Sequence, residues 1–366
     1  MNTSSRDART DDRIADWVRP QIRALRAYHV QLAAGLIKLD AMENPYAWPP
    51  EVVDEWSATL REVSLNRYPD PAPQALMASL REFAGVPTDA ALMLGNGSDE
   101  LIQLIMLALA VPGRKVLAAD PAFSMYRMIS LFVGLEFIGV PLRADFDLDI
   151  EAMLAAIAEH RPAMVLIDRP NNPSGRLFAA ADVRRVIEAA PGLVVVDEAY
   201  QPFSGETVMP WLREYPHLLI LRTLSKMGLA GLRLGLLVGN PAWMAELDKI
   251  RLPYNINVLT QASARFALGH SKMLEEQAAR IRADREYLYQ SMAAMPGLKV
   301  QPSRANFILF RTPAGQGERI FAGLLARRVL IKNLAGAGLP DCLRVTVGTP
   351  EENLAFLAAL AAVLQE

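Results

Sequence analysis

The chain has 366 residues, 52% of them hydrophobic and 21% charged, with a formal net charge of −2. That length allows two domains, or one large domain with a smaller one appended, and the charge balance leaves no electrostatic footprint for nucleic acid. Its single cysteine, Cys342, excludes an intramolecular disulfide and fits a reducing compartment.

In chain order, residues 1–27 read as a polar tail leading into a helix. Its apolar points, Trp17, Ile22 and Leu25, are too few for a core, so the arm is expected to pack on something larger. The opening MNTSSRDARTDDR lacks the apolar h-region of a secretory signal. The longest apolar stretch, around Leu101–Val111, is too short to span a bilayer. A soluble cytoplasmic protein with no membrane partner is expected.

From about Met93, short apolar runs alternate with amphipathic helices. ALML (91–94), KVLAA (115–119), MVLI (164–167), LVVVD (193–197), HLLILR (217–222) and GLLVG (235–239) are the predicted strands. Near-continuous apolar runs suit a parallel sheet covered by helices on both faces. Helical patterns such as Asp99–Ala110 and Asp182–Ala190 lie between them, which argues an α/β fold. After about residue 258 the texture changes. A long helical region runs to roughly Met295, followed by LKVQ, NFILFR, a helix near 317–327, VLIKNL, CLRVTVG and a closing helix over 350–364. The expected division is an N-terminal arm and helix over 1–44 packing on the small domain, a large α/β domain over 45–258, and a small α+β domain over 259–366.

Ligands of open α/β sheets bind beyond the carboxyl ends of the strands. After ALML comes GNGSDE (95–100), a glycine turn opening a helix whose first N–H groups can take a phosphate. It is not the dinucleotide fingerprint, because Glu100 stands where a Gly or Ala belongs. Next come Phe123 and Tyr126 in DPAFSMY, which taken alone read first as core packing. DRPNNPSG (168–175) is a rigid turn that can present the Asn172 amide, and DEAY (197–200) puts an acid and a phenol at a strand end. LRTLSKMGLAGLRLG (221–235) carries Thr223, Ser225, Lys226 and Arg233. A cation buried without a partner costs several kcal/mol, so Lys226 and Arg233 ask for an explanation. The four histidines, His29, His160, His217 and His270, are scattered without ligand spacing, and no metal is expected. A phosphate turn, an aromatic plate, an amide, a carboxylate, a phenol, a lysine and an arginine at one sheet edge form the set that pyridoxal 5′-phosphate needs.

The chain resembles the fold-type I pyridoxal-phosphate enzymes of the class I/II aminotransferases, and among them the histidinol-phosphate aminotransferases. The resemblance runs from about Tyr28 to the end. It rests on NRYPDP (66–71), GNGSDE, PAFSMY, NNPSG, VVDEAY, YPHLLILRTLSK, GLAGLRLG and CLRVTVGTPEEN (342–353) in that order. It implies a mainly parallel, seven-stranded-type sheet in a large cofactor-binding domain, a smaller C-terminal α+β domain and a homodimer. Lys226 is implied as the Schiff-base lysine and Asp197 as the partner of the pyridine nitrogen. Asn172 and Tyr200 would bond the phenolic oxygen, and Phe123 would stack on the ring. Ser98 and Asp99, helped by Thr223, Ser225 and Arg233, would hold the phosphate. Tyr68 would reach the neighbouring subunit's cofactor. Arg344 would grip the substrate anion, with Tyr28, Asn306 and Lys332 as further substrate contacts. The reaction implied is transfer of the amino group of L-histidinol phosphate to 2-oxoglutarate. An aromatic amino-acid aminotransferase or a phosphothreonine decarboxylase would use the same lysine and aspartate. Lys332 stands where an arginine often holds the anion, and Arg169 where a small residue usually precedes the turn.

Overall fold

The structure, a computed structural model, describes residues 4–25, 27 and 31–366, with side chains from residue 10 onward. Its centre is a seven-stranded sheet. In spatial order the strands are Ala91–Asn96, Leu234–Gly239, Leu218–Thr223, Leu193–Asp197, Met164–Asp168, Lys115–Asp120 and Glu136–Pro141. All run parallel except Leu234–Gly239, which is antiparallel to both neighbours. Every residue of Met164–Asp168 and of Leu193–Asp197 is buried, because helices cover both faces. Alternation along the strand decides the face. Val194 and Val196 join one apolar cluster, and Val195 joins the other. Burying each such side chain stabilises the fold by about 1.5–3 kcal/mol.

The six predicted strands are present. The seventh, Glu136–Pro141, gave no comparable signal because it lies at the sheet edge, is only partly buried and ends in proline. The expected long helical region is two helices, Val258–Gly269 and Ser271–Ala293, interrupted at His270 directly after a glycine. Asn257 starts the first by accepting a 2.9 Å hydrogen bond from the Thr260 N–H. The closing helix, Pro350–Gln365, begins with a reciprocal capping box between Thr349 and Glu352.

A second sheet, antiparallel throughout, has the order Lys332–Asn333, Cys342–Thr346, Phe307–Arg311, Lys299–Val300. VLIKNL divides between two sheets, since Val329–Leu330 pairs instead with Ile37–Lys38. That pairing, continued by the Thr346 N–H donating to the Leu39 carbonyl at 2.8 Å, lays residues 37–39 against the C-terminal part of the chain. The earlier part of the arm sits elsewhere. Helix Ser4–Trp17 ends in a Trp17 that is 87% exposed. Arg19 bonds the Phe132 carbonyl beside the large sheet. Parallel strands ending at Asp168, Asp197 and Thr223 deliver those side chains to one sheet edge, and the loop to Leu234 begins there.

Candidate active site

Asp197 and Asp168 end adjacent strands as register partners, and both are almost wholly buried. Oδ2 of Asp197 accepts a 2.8 Å hydrogen bond from the Tyr126 hydroxyl, and Oδ1 accepts one of 2.9 Å from the Ala199 N–H. Burial pushes its carboxyl up to about 6, while the Tyr126 bond holds it down. Burial pushes Asp168 up to about 7 against two donors, the Asn172 N–H at 2.8 Å and the Asn171 amide at 2.9 Å.

The loop after Leu218–Thr223 is fastened by its own hydroxyls. The Ser225 N–H donates to Thr223 Oγ1 at 3.1 Å, and the Thr223 hydroxyl donates to the Ser225 hydroxyl at 2.9 Å. Lys226 follows in a short 3₁₀ turn, its Nζ 5.7 Å from the centre of the Tyr200 ring. Burial, and next the nearby Arg344 cation, push the lysine down to about 8.

Directly after the strand that ends at Asp168 lies the turn Asn171–Gly175. The Asn172 amide donates to the Tyr200 hydroxyl at 3.3 Å, and its oxygen accepts a hydrogen bond from Arg344. Arg344 arrives from the small sheet. It also donates to the Asp40 carbonyl at 3.2 Å and lies over the Phe307 ring at 5.2 Å. Tyr200 packs edge-on against Phe307, and burial raises its phenol.

Gly97 precedes helix Ser98–Leu109 at φ 89, a conformation open to glycine. A Cβ there would stand 2.6 Å from the Arg233 guanidinium. Arg233 itself has φ 51, a conformation costing a non-glycine residue about 1–2 kcal/mol. So placed, it lies 3.7 Å from the Asp99 carboxylate and 3.5 Å from the Ser225 hydroxyl. Bare helix N–H groups, two hydroxyls and an arginine around a cradle that a side chain would fill suit a phosphate. A lysine, a buried carboxylate and an aromatic ring nearby suit the rest of pyridoxal phosphate. The residues fit that group.

Ser98, Asp99, Phe123, Asn172, Asp197, Tyr200, Thr223, Ser225, Lys226 and Arg233 line one cavity, together with Met42, Asp168 and Ala199. Arg344 touches it through Asn172. Lys332 is the register partner of Arg344 on the small sheet. Asn306 is wholly buried. Its amide donates to the Met42 carbonyl at 2.9 Å, which places it behind the lining. Tyr68 is not brought to this cavity: it is 81% exposed and stacks on Tyr254 at 4.7 Å. Tyr28 lies outside the described residues. Arg169 points away from the cavity, donating to the Phe178 carbonyl at 2.9 Å and to Glu206 at 2.6 Å. Two residues gained a role only in the structure. Tyr126, three residues after Phe123, bonds Asp197. Asp168 ends MVLID as Asp197 ends LVVVD, and that shared strand-end aspartate was the available signal.

Residues 34–360 match the family described as Aminotransferase class I and II. Histidinol-phosphate aminotransferase 2 of Nitrosococcus oceani is 58% identical over 355 residues, covering 96% of this chain and 99% of that protein. Histidinol-phosphate aminotransferase 2 of Cupriavidus pinatubonensis is 55% identical, covering 95% and 97%. The chain is also similar in fold to the solved histidinol-phosphate aminotransferase from Sinorhizobium meliloti in complex with pyridoxal-5′-phosphate. The TM-score is 0.84 at 24% identity, covering 95% of this chain and 98% of that one. Among the described residues no helix is long and apolar enough to cross a membrane.

Proposed function

Because the chain belongs to the class I and II aminotransferases, and within them to the histidinol-phosphate aminotransferases, we infer that it transfers the amino group of L-histidinol phosphate to 2-oxoglutarate in histidine biosynthesis. The observation that carries this reading is the meeting of Arg344 and Asn172. An arginine of the small sheet touches the amide of the cofactor turn, so a donor's anion and its reacting carbon can be held together.

Bound pyridoxal phosphate supplies an electron sink that makes the proton on the amine-bearing carbon labile. The chain's own residues do the rest. Lys226 holds the cofactor through Nζ. With the donor bound, Lys226 Nζ would be the base that takes the proton from the amine-bearing carbon and the acid that returns it. A lysine brought down to about 8 suits both roles near neutral pH. Asp197 keeps the ring nitrogen protonated. Asn172 and Tyr200 hold the ring oxygen, and Phe123 covers the ring. Ser98, Asp99, Thr223, Ser225 and Arg233 hold the phosphate. Arg344, with Lys332 beside it, grips the donor's anion, and Asn306 acts by holding Met42 in place.

The reading includes a homodimer in the cytoplasm, with the arm 1–44, large domain 45–258 and small domain 259–366 as its parts. The Tyr68–Tyr254 stack, both rings exposed, offers an apolar surface suited to a second copy. There Tyr68 would reach the neighbouring site.

The test is kcat/KM for histidinol phosphate against phenylalanine and tyrosine, each with 2-oxoglutarate. Histidinol phosphate is expected to lead by about tenfold or more, roughly one charge-assisted contact. Preference for an aromatic amino acid would overturn the donor assignment and leave an aromatic aminotransferase.

A further inference from the structure

Two strand-end carboxylates stand side by side in the cavity, and the reading above uses one of them. Asp168 is 3% exposed, lines the cavity and is the register partner of Asp197. Its two oxygens have separate duties. Oδ1 accepts from the Asn171 amide at 2.9 Å, and Oδ2 accepts from the backbone N–H of Asn172 at 2.8 Å. Asn171 is fixed in turn, donating to the Pro121 carbonyl at 3.2 Å and accepting from the Ser174 N–H at 3.1 Å. Asp168 therefore ties the main chain of Asn172 to the end of a buried strand.

What hangs on that tie is the Asn172 amide. One end donates to the Tyr200 hydroxyl at 3.3 Å, and the other accepts from Arg344. Arg344 comes from a different sheet, 172 residues further along the chain, so no local turn geometry sets this meeting. An amide held only by its own loop could turn toward either partner. An amide whose backbone is fixed from below holds both. A carboxylate does this better than an amide would, since it has two accepting oxygens for two donors.

We propose that Asp168 is a positioning residue: by fixing Asn172 it couples the hold on the cofactor ring to the grip of Arg344 on the donor's anion. This rests on the roles assigned above to Asn172 and Arg344. Cofactor affinity and donor KM should then respond to the same substitution, although Asp168 itself need not touch the donor.

The experiment uses Asp168→Asn, which keeps the side-chain size and one acceptor. Three quantities are read: affinity of the cofactor-free protein for pyridoxal phosphate by tryptophan fluorescence, donor KM and kcat of the loaded enzyme, and the melting temperature of the cofactor-free protein. The cofactor Kd should rise about three- to tenfold and donor KM about five- to tenfold, in line with one weakened polar contact for each. The double variant Asp168→Asn/Arg344→Ala should raise KM by less than the product of the single effects, because Asp168 reaches the donor only through Asn172 and Arg344. A lower melting temperature with Kd and KM both within about twofold of wild type would mean a purely structural carboxylate and would overturn the proposal. If Asp168→Asn does not fold, Asn171→Ala removes one donor to the same carboxylate and is judged on the same readouts. Asn172→Ala and Arg344→Ala serve as controls. If they leave Kd and KM unchanged, the site reading fails. If they change them and Asp168→Asn does not, this inference alone fails.

Discussion

The Tyr126 hydroxyl donates a 2.8 Å hydrogen bond to Oδ2 of Asp197, inside a pocket where both side chains are buried. Burial raises the carboxyl to about 6, and this bond pulls it down. In the proposed role Asp197 must be ionised to pair with a protonated ring nitrogen, so its support should be present above that pH and lost as pH falls through it. Tyr126→Phe removes the bond and lets the pKa rise further. Cofactor binding to the variant should weaken about two- to tenfold at pH 7, and its acid limb should move to higher pH. Titrating cofactor affinity against pH in both proteins checks this. An unmoved limb would show that the contact does not tune Asp197.

Asp197→Asn should abolish most turnover while leaving the protein folded. The stability sign follows from the pKa. In the cofactor-free protein the carboxyl sits near 6, above an unfolded value of about 3.9. The folded state therefore binds more protons between those values, and stability falls as pH rises through that window. Ionised Asp197 costs the empty fold about 2–3 kcal/mol by pH 8. The melting-temperature gap between wild type and Asp197→Asn should accordingly shift in favour of the variant between pH 4 and pH 8. Near-normal turnover by the variant would remove Asp197 from its assigned role.

Lys226 sets a second pH dependence. Its Nζ is pushed to about 8, against about 10.4 for a free lysine. The neutral amine proposed to attach the cofactor is therefore available at lower pH than on an exposed lysine. Attachment to cofactor-free protein should accelerate as pH rises through about 8. Because the Arg344 cation contributes to the lowering, Arg344→Ala should move that rise to higher pH. Stopped-flow absorbance over a pH series measures both.

Arg344→Ala should also raise the KM for histidinol phosphate by about one to two orders of magnitude, since a charge-assisted hydrogen bond contributes roughly 1.5–3 kcal/mol. Lys332→Ala should do less, because an ammonium is a point charge without the planar fork of a guanidinium. Steady-state kinetics of the two variants rank them.

Tyr68 tests the dimer. Lys226→Ala and Tyr68→Ala subunits, each weak alone, should regain activity when mixed and re-equilibrated, because half the sites in a hybrid dimer are then intact. No recovery, together with a monomer in sedimentation, would mean that each chain builds its site alone.

What the sequence disclosed of the site was what short-range pattern can carry. Asp197 and Lys226 follow unbroken apolar runs, and Gly97 precedes a helix start, so strand-end logic reached all three. The Arg344–Asn172 contact was beyond it, since it depends on how two sheets meet. Tyr126 read as core because its ring is core; only its hydroxyl, bonded to Asp197, joins it to the site. The edge strand Glu136–Pro141 lacked the two-sided burial that makes a run recognisable, and one residue, His270, divides a helical pattern that periodicity alone reads as continuous.

The most direct measurement is the site of cofactor attachment. The protein is loaded with pyridoxal phosphate, reduced with borohydride, digested and mapped by mass spectrometry. One modified peptide is expected, with the adduct on Lys226, and none from Lys226→Ala. An adduct on another lysine, or no adduct after loading, would contradict it.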